Sequence, residues 1–329
     1  MMPKSRAYKI LQFTLASIVI AGTLISILPV DFFMVKSVRH YTVHFMLGAF
    51  ALGLISLFLR DKRLMYISFI CCGIVGAYLQ DSFDEQLSRS FYPEETDELC
   101  FQVAHFNVSS SEGDYSTTID AIKASKADLI SIQEVTPDWN IVLQESLIEQ
   151  YPYYKSIVRI DLYGMAVFSK YPFERIDTFH YENIPNIMGS VKVDTAYEEI
   201  FFVGSHITPP LNNSAYEDLG SHLKKIANYA LSFNAPVITF GDYNVVPWSD
   251  EIKSFRSTAQ LISARRDFTP KLIASSDRFF QSPIDHIFYS EQLECLGFQP
   301  IEGTSSNHLG ILGKFQFKYK TPYVKGSME

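Results

Sequence analysis

Six stretches of this chain set a carboxylate, an amide or an imidazole at or beside the end of an apolar run. The most informative is Val237-Ile-Thr-Phe-Gly-Asp-Tyr-Asn-Val-Val-Pro-Trp-Ser249. Val237 to Phe240 reads as a short buried strand, and Gly241 permits a sharp exit that other residues resist. Asp242 and Asn244 stand two residues apart, so on an extended backbone their side chains share one side. One is an acceptor-only carboxylate; the other both donates and accepts. Pro247 stops the strand, and Ser249 suits the N-cap of a helix that opens with Asp250 and Glu251. An Asx-type turn closing a strand fits this segment equally well on its own.

The other stretches repeat the arrangement. Asn107 ends Phe101–Asn107, Glu134 ends Ala127–Gln133, and His206 follows Phe201–Ser205. Asp285 and His286 lie within Pro283–Phe288, and Asn307 and His308 precede the last apolar run. These types suit metal-assisted cleavage of a phosphate ester. Hard oxygens from Glu134, with Asp242 or Asp285 nearby, match Mg²⁺, or Mn²⁺ in its place; Mg²⁺ keeps several waters and binds through few carboxylates plus substrate phosphate. A histidine–carboxylate pair can deprotonate or orient the attacking water. No P-loop glycine pattern, Cys-x-x-Cys or His-Glu-x-x-His is present, so those chemistries lack support. Single residues keep simpler readings. Glu134 also fits a helix cap, and His286 fits a structural role better than a catalytic one. His105 and His180 read as packing or surface residues, and Tyr153, Tyr154 and Trp248 fit core packing as well as a groove lining.

The elements that must carry these residues alternate between strand and helix. Strands are expected near 101–107, 127–133, 153–159, 164–169, 175–180, 189–193, 200–205, 237–240, 284–289, 293–299 and 309–317. Helices are expected over 116–126, 137–150, 216–233 and 249–261; Leu219, Leu223, Ile226 and Tyr229 share one face of the third. Many strands with a few covering helices indicate a layered α/β sandwich. There is no internal repeat and no low-complexity tract.

The first 80 residues differ. Leu11–Val30 and Tyr41–Leu59 lack charge, and Leu64–Gln80 is a third, shorter apolar run. A spanning helix needs roughly 20 apolar residues, with a range of about 17–25, so three spans are expected. Lys4, Arg6 and Lys9 precede the first, and Arg60, Lys62 and Arg63 lie between the second and third. Both clusters read as cytoplasmic. Acidic residues from Asp81 to Glu98 follow the third span, which puts the C-terminal part outside the cytoplasm. The loop with Asp31, Lys36 and Arg39 is ambiguous. The expected organisation is an anchor over 1–80, a linker over 81–99, a catalytic domain over 100–318 and a tail over 319–329. The expected location is the inner (cytoplasmic) membrane, multi-pass, with the domain on its periplasmic or extracellular face.

The chain carries a formal charge of −8, and residues 1–80 hold eight Lys/Arg against two Asp/Glu, leaving −14 for the rest. So acidic a domain is a poor non-specific ligand for polyanions. Cys71 and Cys72 fall inside the third apolar run. Cys100 and Cys295 fit one disulfide in an oxidising compartment, or two buried thiols.

The ordered set resembles the endonuclease/exonuclease/phosphatase superfamily. The matching pieces are Phe106-Asn107, Gln133-Glu134, Gly164–Pro172, Ser205-His206, Gly241–Asn244, Ile284–His286 and Ser306–His308. The resemblance covers roughly 100 to 318 and looks closest to a bacterial membrane-anchored branch. It implies a four-layer α/β/β/α sandwich of the DNase I-like kind. It implies Glu134 as principal metal ligand with Asn107 beside it, and His206 at the scissile phosphate or as general acid. It implies that Asp242 positions the nucleophilic water, Asn244 holds phosphate, Asp285 supports a histidine or the metal, and His308 acts as base or transition-state stabiliser. The family pattern Ser-Asp-His is here Ser306-Asn307-His308, which removes a charge beside His308. The expected partners are a phosphate-ester substrate, either nucleic acid or a phospholipid headgroup, and the bilayer; nothing in the sequence indicates a protein partner. The alternative is a weak or inactive membrane-bound module of the same fold.

Overall fold

The computed structural model describes residues 5–82, 100–108, 115–193, 199–233, 235–266, 282–302 and 308–318. Asn307, most of the expected linker and the expected tail lie outside the described residues.

The chain begins with four helices: α1 (Arg6–Ile27), α2 (Phe33–Arg39), α3 (Thr42–Phe58) and α4 (Lys62–Asp81). Helices α1 and α4 are each long and apolar enough to cross a membrane, and α2 with α3, bent by 63°, pass that test only as a pair. The short helix α2 fills the ambiguous loop. At the cap of α4, Asp61 accepts from the Tyr8 hydroxyl and from Gln12 Nε2, the latter at 2.6 Å. The starts of α1 and α4 therefore meet at one end of the bundle, which gathers Arg6 and Lys9 with Lys62 and Arg63 there.

The remaining elements are β1 (Phe101–Asn107), α5 (Tyr115–Ser125), β2 (Leu129–Gln133), α6 (Pro137–Leu147), β3 (Tyr153–Ile157), β4 (Met165–Ser169), β5 (Phe173–Tyr181), β6 (Ile184–Val191) and β7 (Ile200–Ser205). They continue with α7 (Asn213–Ser232), β8 (Val237–Asp242), α8 (Asp250–Ala259), β9 (Leu261–Ser263), β10 (Asp285–Ser290), β11 (Leu293–Ile301) and β12 (Gly310–Phe317). Local chemistry sets the helix starts: Thr136 caps α6 ahead of Pro137, and Ser249 caps α8 by accepting from Ile252 N at 3.2 Å.

Two six-stranded sheets form, in the orders β11-β12-β1-β2-β4-β3 and β5-β6-β7-β8-β10-β9. Pairs β1/β2 and β7/β8 are parallel, and each is bridged by a helix, as a parallel crossover requires. The other pairings are antiparallel. Between the sheets, Val103, Leu129 and Val167 pack with Phe202, Ile238 and Ile287. Helices α5 and α6 cover the outer face of the first sheet through Ile122, Trp139 and Leu143. Helices α7 and α8 cover the second through Leu219, Leu223, Ile226 and Phe255. This is the four-layer α/β/β/α sandwich. Both faces of each central strand are covered, which explains their near-continuous apolar sequences.

The helical segment rests on the sandwich. Trp248 and Val246 pack with Val43, Val75 and Leu79. Trp248 Nε1 donates to Arg39 O, and the Tyr78 hydroxyl donates to Trp248 O at 3.1 Å. Arg39 pairs with Asp250 at 2.9 Å and Lys36 with Glu251 at 2.8 Å. Trp248 is thus buried in this contact rather than lining a groove. Among the described residues no disulfide forms, and Cys100 and Cys295 remain thiols.

Candidate active site

Strand direction explains why the polar strand ends converge. Parallel β1 and β2 end at one edge, where they deliver Asn107 and Glu134. Parallel β7 and β8 do the same for His206 and Asp242. Strand β10 runs antiparallel to β8, so its first residue, Asp285, sits in register with Asp242. Strand β12 runs antiparallel to β1 with Ile311 opposite His105, which sets His308, just before it, at the same edge.

The contacts within this edge are close. Asn107 Nδ2 donates to Glu134 Oε1 at 3.0 Å. His308 Nδ1 donates to Asp285 Oδ2 at 3.0 Å and lies 3.9 Å from Asp242 Oδ2. His206 Nε2 lies 3.9 Å from the same Asp242 oxygen. Potential ligand atoms of Asp242, Asp285 and His308 all fall within 4.8 Å of one another. Glu134 and Asn244 have φ of 63° and 55°, a left-handed conformation uncommon for residues with a side chain and concentrated where function over-determines the backbone.

Asn244 makes the Asx-type turn: its N–H donates to Asp242 Oδ1 at 2.8 Å, and its Nδ2 donates to Ile207 O at 2.7 Å. The turn reading and the site reading therefore describe one structure. His286, next to Asp285, faces the other way. Its Nε2 donates to Val245 O at 2.8 Å, and its ring stacks on Phe288 in the layer under α8. It braces the loop after Asp242 and does not join the cluster.

The role of Gln133, which stands in the Gln133-Glu134 piece, and that of His105 escaped the sequence reading. Gln133 is fully buried; its Nε2 donates to Ser205 O at 2.7 Å, and its Oε1 accepts from Asp242 N at 3.0 Å. One side chain thereby links the two sheets directly behind Asp242. Gly241 makes room for it: with φ of +148°, a Cβ there would stand 1.9 Å from Ser205 O and 2.8 Å from Gln133 Nε2. His105, read from sequence as packing or surface, is fully buried. Its Nε2 donates to Asp285 Oδ1 at 3.2 Å, and its Nδ1 lies 3.2 Å from Ser131 Oγ. The available signal was the period of two, which puts His105 on the same side of β1 as Asn107.

Burial and charge shape the protonation of these groups. Burial, then the Asp285 charge, push the Asp242 carboxyl above its usual range. Burial would raise Asp285 too, but the His308 charge and the bonds from His105 and His308 hold it well below. Burial disfavours the His308 cation, yet Asp285, Asp242 and Glu134 outweigh it and raise its pKa. Burial pulls His206 down, against the Glu134 charge. A buried carboxylate like Asp242 is stabilised by a cation or a metal. Among the described residues, Asp242, Asp285 and His308 are the group whose ligand atoms lie close enough together to hold a divalent cation.

A family model described as the endonuclease/exonuclease/phosphatase family matches residues 104–308, from β1 to His308. The chain belongs to that family. It is a hydrolase of phosphoric ester bonds, and enzymes of this family are generally dependent on divalent metals. No curated protein sequence matches the chain. Three solved structures illustrate the shared fold. A Beutenbergia cavernae endonuclease/exonuclease/phosphatase is 15% identical, with TM-score 0.54, over 67% of this chain and 72% of that one. D. rerio TDP2, complexed with a single-strand DNA product, is 15% identical, with TM-score 0.55, over 67% and 100%. Sphingomyelinase C from Streptomyces griseocarneus is 15% identical, with TM-score 0.51, over 66% and 99%.

Proposed function

We propose that this family member is a membrane-anchored, Mg²⁺-dependent phosphodiesterase acting outside the cytoplasm. The observation that carries the reading is the meeting of Glu134, Asp242, Asp285 and His308 at one sandwich edge, with His308 bonded to Asp285 at 3.0 Å. Glu134 and Asn107 would hold the cation, which polarises the phosphoryl oxygen and offsets developing charge. Asp242 accepts the proton of the attacking water or orients it. Asn244 and His206 hold the phosphate. His308, aimed by Asp285 through Nδ1, uses its opposite nitrogen on the reacting group. Mn²⁺ suits the same oxygens.

A phospholipid headgroup fits better than nucleic acid. The domain is strongly acidic, and nucleic-acid affinity comes largely from neutralised phosphates. The loop that follows Asn244 also packs on the ends of α3 and α4, close to where those helices would leave the bilayer. Among the fold's relatives, one structure is a sphingomyelinase and another holds a DNA product, so both substrate classes occur on this scaffold. The two apolar helices, with the bent α2–α3 pair as a third span, and the basic residues gathered at one end support an inner-membrane location, with residues 1–80 as anchor and 100–318 as the outward catalytic domain.

The test is hydrolysis of bis-p-nitrophenyl phosphate by the full chain in detergent with Mg²⁺ or Mn²⁺, followed by plasmid DNA and choline phospholipids side by side. Hydrolysis that disappears in Glu134→Ala supports the reading, and no hydrolysis with either metal sinks it. Asn307, where the family carries aspartate, favours a second reading: an inactive module that kept the fold. An active wild-type chain rejects that reading.

A further inference from the structure

His105 occupies a place that burial alone does not explain. An imidazole inside an apolar strand costs free energy unless both nitrogens find partners. Here they do: Nδ1 faces Ser131 Oγ at 3.2 Å, and Nε2 faces Asp285 Oδ1 at 3.2 Å. A carboxylate only accepts, so Nε2 carries the hydrogen, and in the neutral ring Nδ1 accepts from the Ser131 hydroxyl. The other Asp285 oxygen, Oδ2, accepts from His308 Nδ1 at 3.0 Å. Four side chains thus form one line, Ser131–His105–Asp285–His308. It starts in the first sheet, crosses the sandwich interior to β10 of the second, and ends at the edge where the polar strand ends meet.

The consequence concerns orientation. The terminal torsion of an aspartate is soft, with broad wells. A carboxylate held by one donor swings about that torsion and carries its partner with it. A second donor on the opposite oxygen fixes the plane. Ser131 and His105 lie on adjacent parallel strands in direct register, so the pair is rigid.

We infer that His105 is a positioning residue for the reaction: held by Ser131, it fixes the Asp285 carboxylate that aims His308. This rests on His308 serving hydrolysis, as proposed above. His105 itself touches no substrate. Its role differs from a plain buried tie, because its loss disturbs the chemical step while leaving substrate binding in place.

The full-length chain in detergent micelles with Mg²⁺ provides the test, using His105→Phe, His105→Gln and Ser131→Ala. Three readouts are taken on each: kcat and KM on bis-p-nitrophenyl phosphate, the melting temperature, and the NMR resonance of the His308 Nδ1 proton. Supporting groups around catalytic centres are worth roughly 10–100-fold. His105→Phe is expected to lower kcat by at least about 10-fold at nearly constant KM, and to weaken the His308 Nδ1 proton signal through faster exchange. His105→Gln, whose amide can still donate to Asp285, is expected to recover part of kcat. An unchanged kcat in folded His105→Phe overturns the inference, as does a rise in KM with kcat unaffected. If His105→Phe does not fold, Ser131→Ala decides, since it keeps the ring but frees its rotation; no loss of kcat there overturns the role. If the wild-type chain shows no hydrolysis, the proposed activity fails, and the proton signal still decides the positioning: an unaltered His308 signal in His105→Phe refutes it.

Discussion

The indole Nε1 of Trp248 donates to the carbonyl oxygen of Arg39 at 2.8 Å, joining the loop that follows Asp242 to helix α2 across 209 positions of sequence. The helical segment therefore braces the loop behind the candidate site, and in the proposed function it is also the tether. Trp248→Ala removes a fully buried ring and should cost about 3–5 kcal/mol. The expected outcome is a lower melting temperature together with reduced kcat, because that loop carries Asn244 and starts directly after Asp242. A fragment lacking residues 1–99 should show both effects, measured by thermal unfolding and by hydrolysis against the full chain. Full activity in that fragment would separate anchor from site.

If Glu134 is the principal oxygen donor to the cation, as proposed, Glu134→Ala should reduce kcat/KM by at least about 100-fold at fixed Mg²⁺. Glu134→Asp should recover part of the loss at raised Mg²⁺. A metal titration of activity checks both, and equal Mg²⁺ dependence in the variant would exclude Glu134 as ligand.

Gln133→Leu should destabilise the fold by about 2–4 kcal/mol. It leaves Ser205 O and Asp242 N without their partner in a dry interior, and each orphaned group costs about 1–3 kcal/mol. Gln133→Glu keeps the acceptor but sets a buried carboxylate against Ser205 O, so it should destabilise at least as much. Chemical unfolding of the three proteins gives the order.

His222 supplies a pH prediction. It is buried, its Nε2 donates to Asn186 Oδ1 at 3.0 Å, and its ring stacks on Tyr181 at 4.5 Å. Burial first, then the Lys225 charge, lower its pKa to about 3. In the unfolded chain the ring titrates near 6.5. Below that pH the unfolded state binds the proton that the folded state refuses, so stability is lost as pH falls from about 6.5 toward 3. His222→Gln keeps the donor and removes the titration. The stability difference between wild type and variant should shift against the wild type by up to about 1.4 kcal/mol per pH unit in that window. A pH-independent difference would show that the ring already carries its proton in the fold.

Most of the site could be read from the chain because a strand buried on both faces must be apolar, and the first polar residue beyond it marks an edge. Asn107, Glu134, His206 and Asp242 were legible on that ground. Asp285 and His308 were legible as neighbours of such runs. Helix starts at Thr136 and Ser249 were legible because capping acts over three residues. His105 was not, since it sits inside an apolar run and looks like packing until its partner is known; Gln133 was singled out beside Glu134, but its bond across the sheets was not legible. Trp248 was ambiguous for the same reason, and α2 was hidden in a loop with mixed charge.

Residue types and short-range spacing thus settled most of the elements, α2 and β9 excepted, the order of the polar strand ends and the class of chemistry they suit. Those rules operate over a few residues of backbone. The bonds from His105 to Asp285 and from Trp248 to Arg39 span 180 and 209 positions. They exist only because two sheets stack face to face and a helical bundle closes on their edge. That stacking answers to the summed packing of many apolar side chains, and it made a buried histidine and a buried tryptophan into supports of one site.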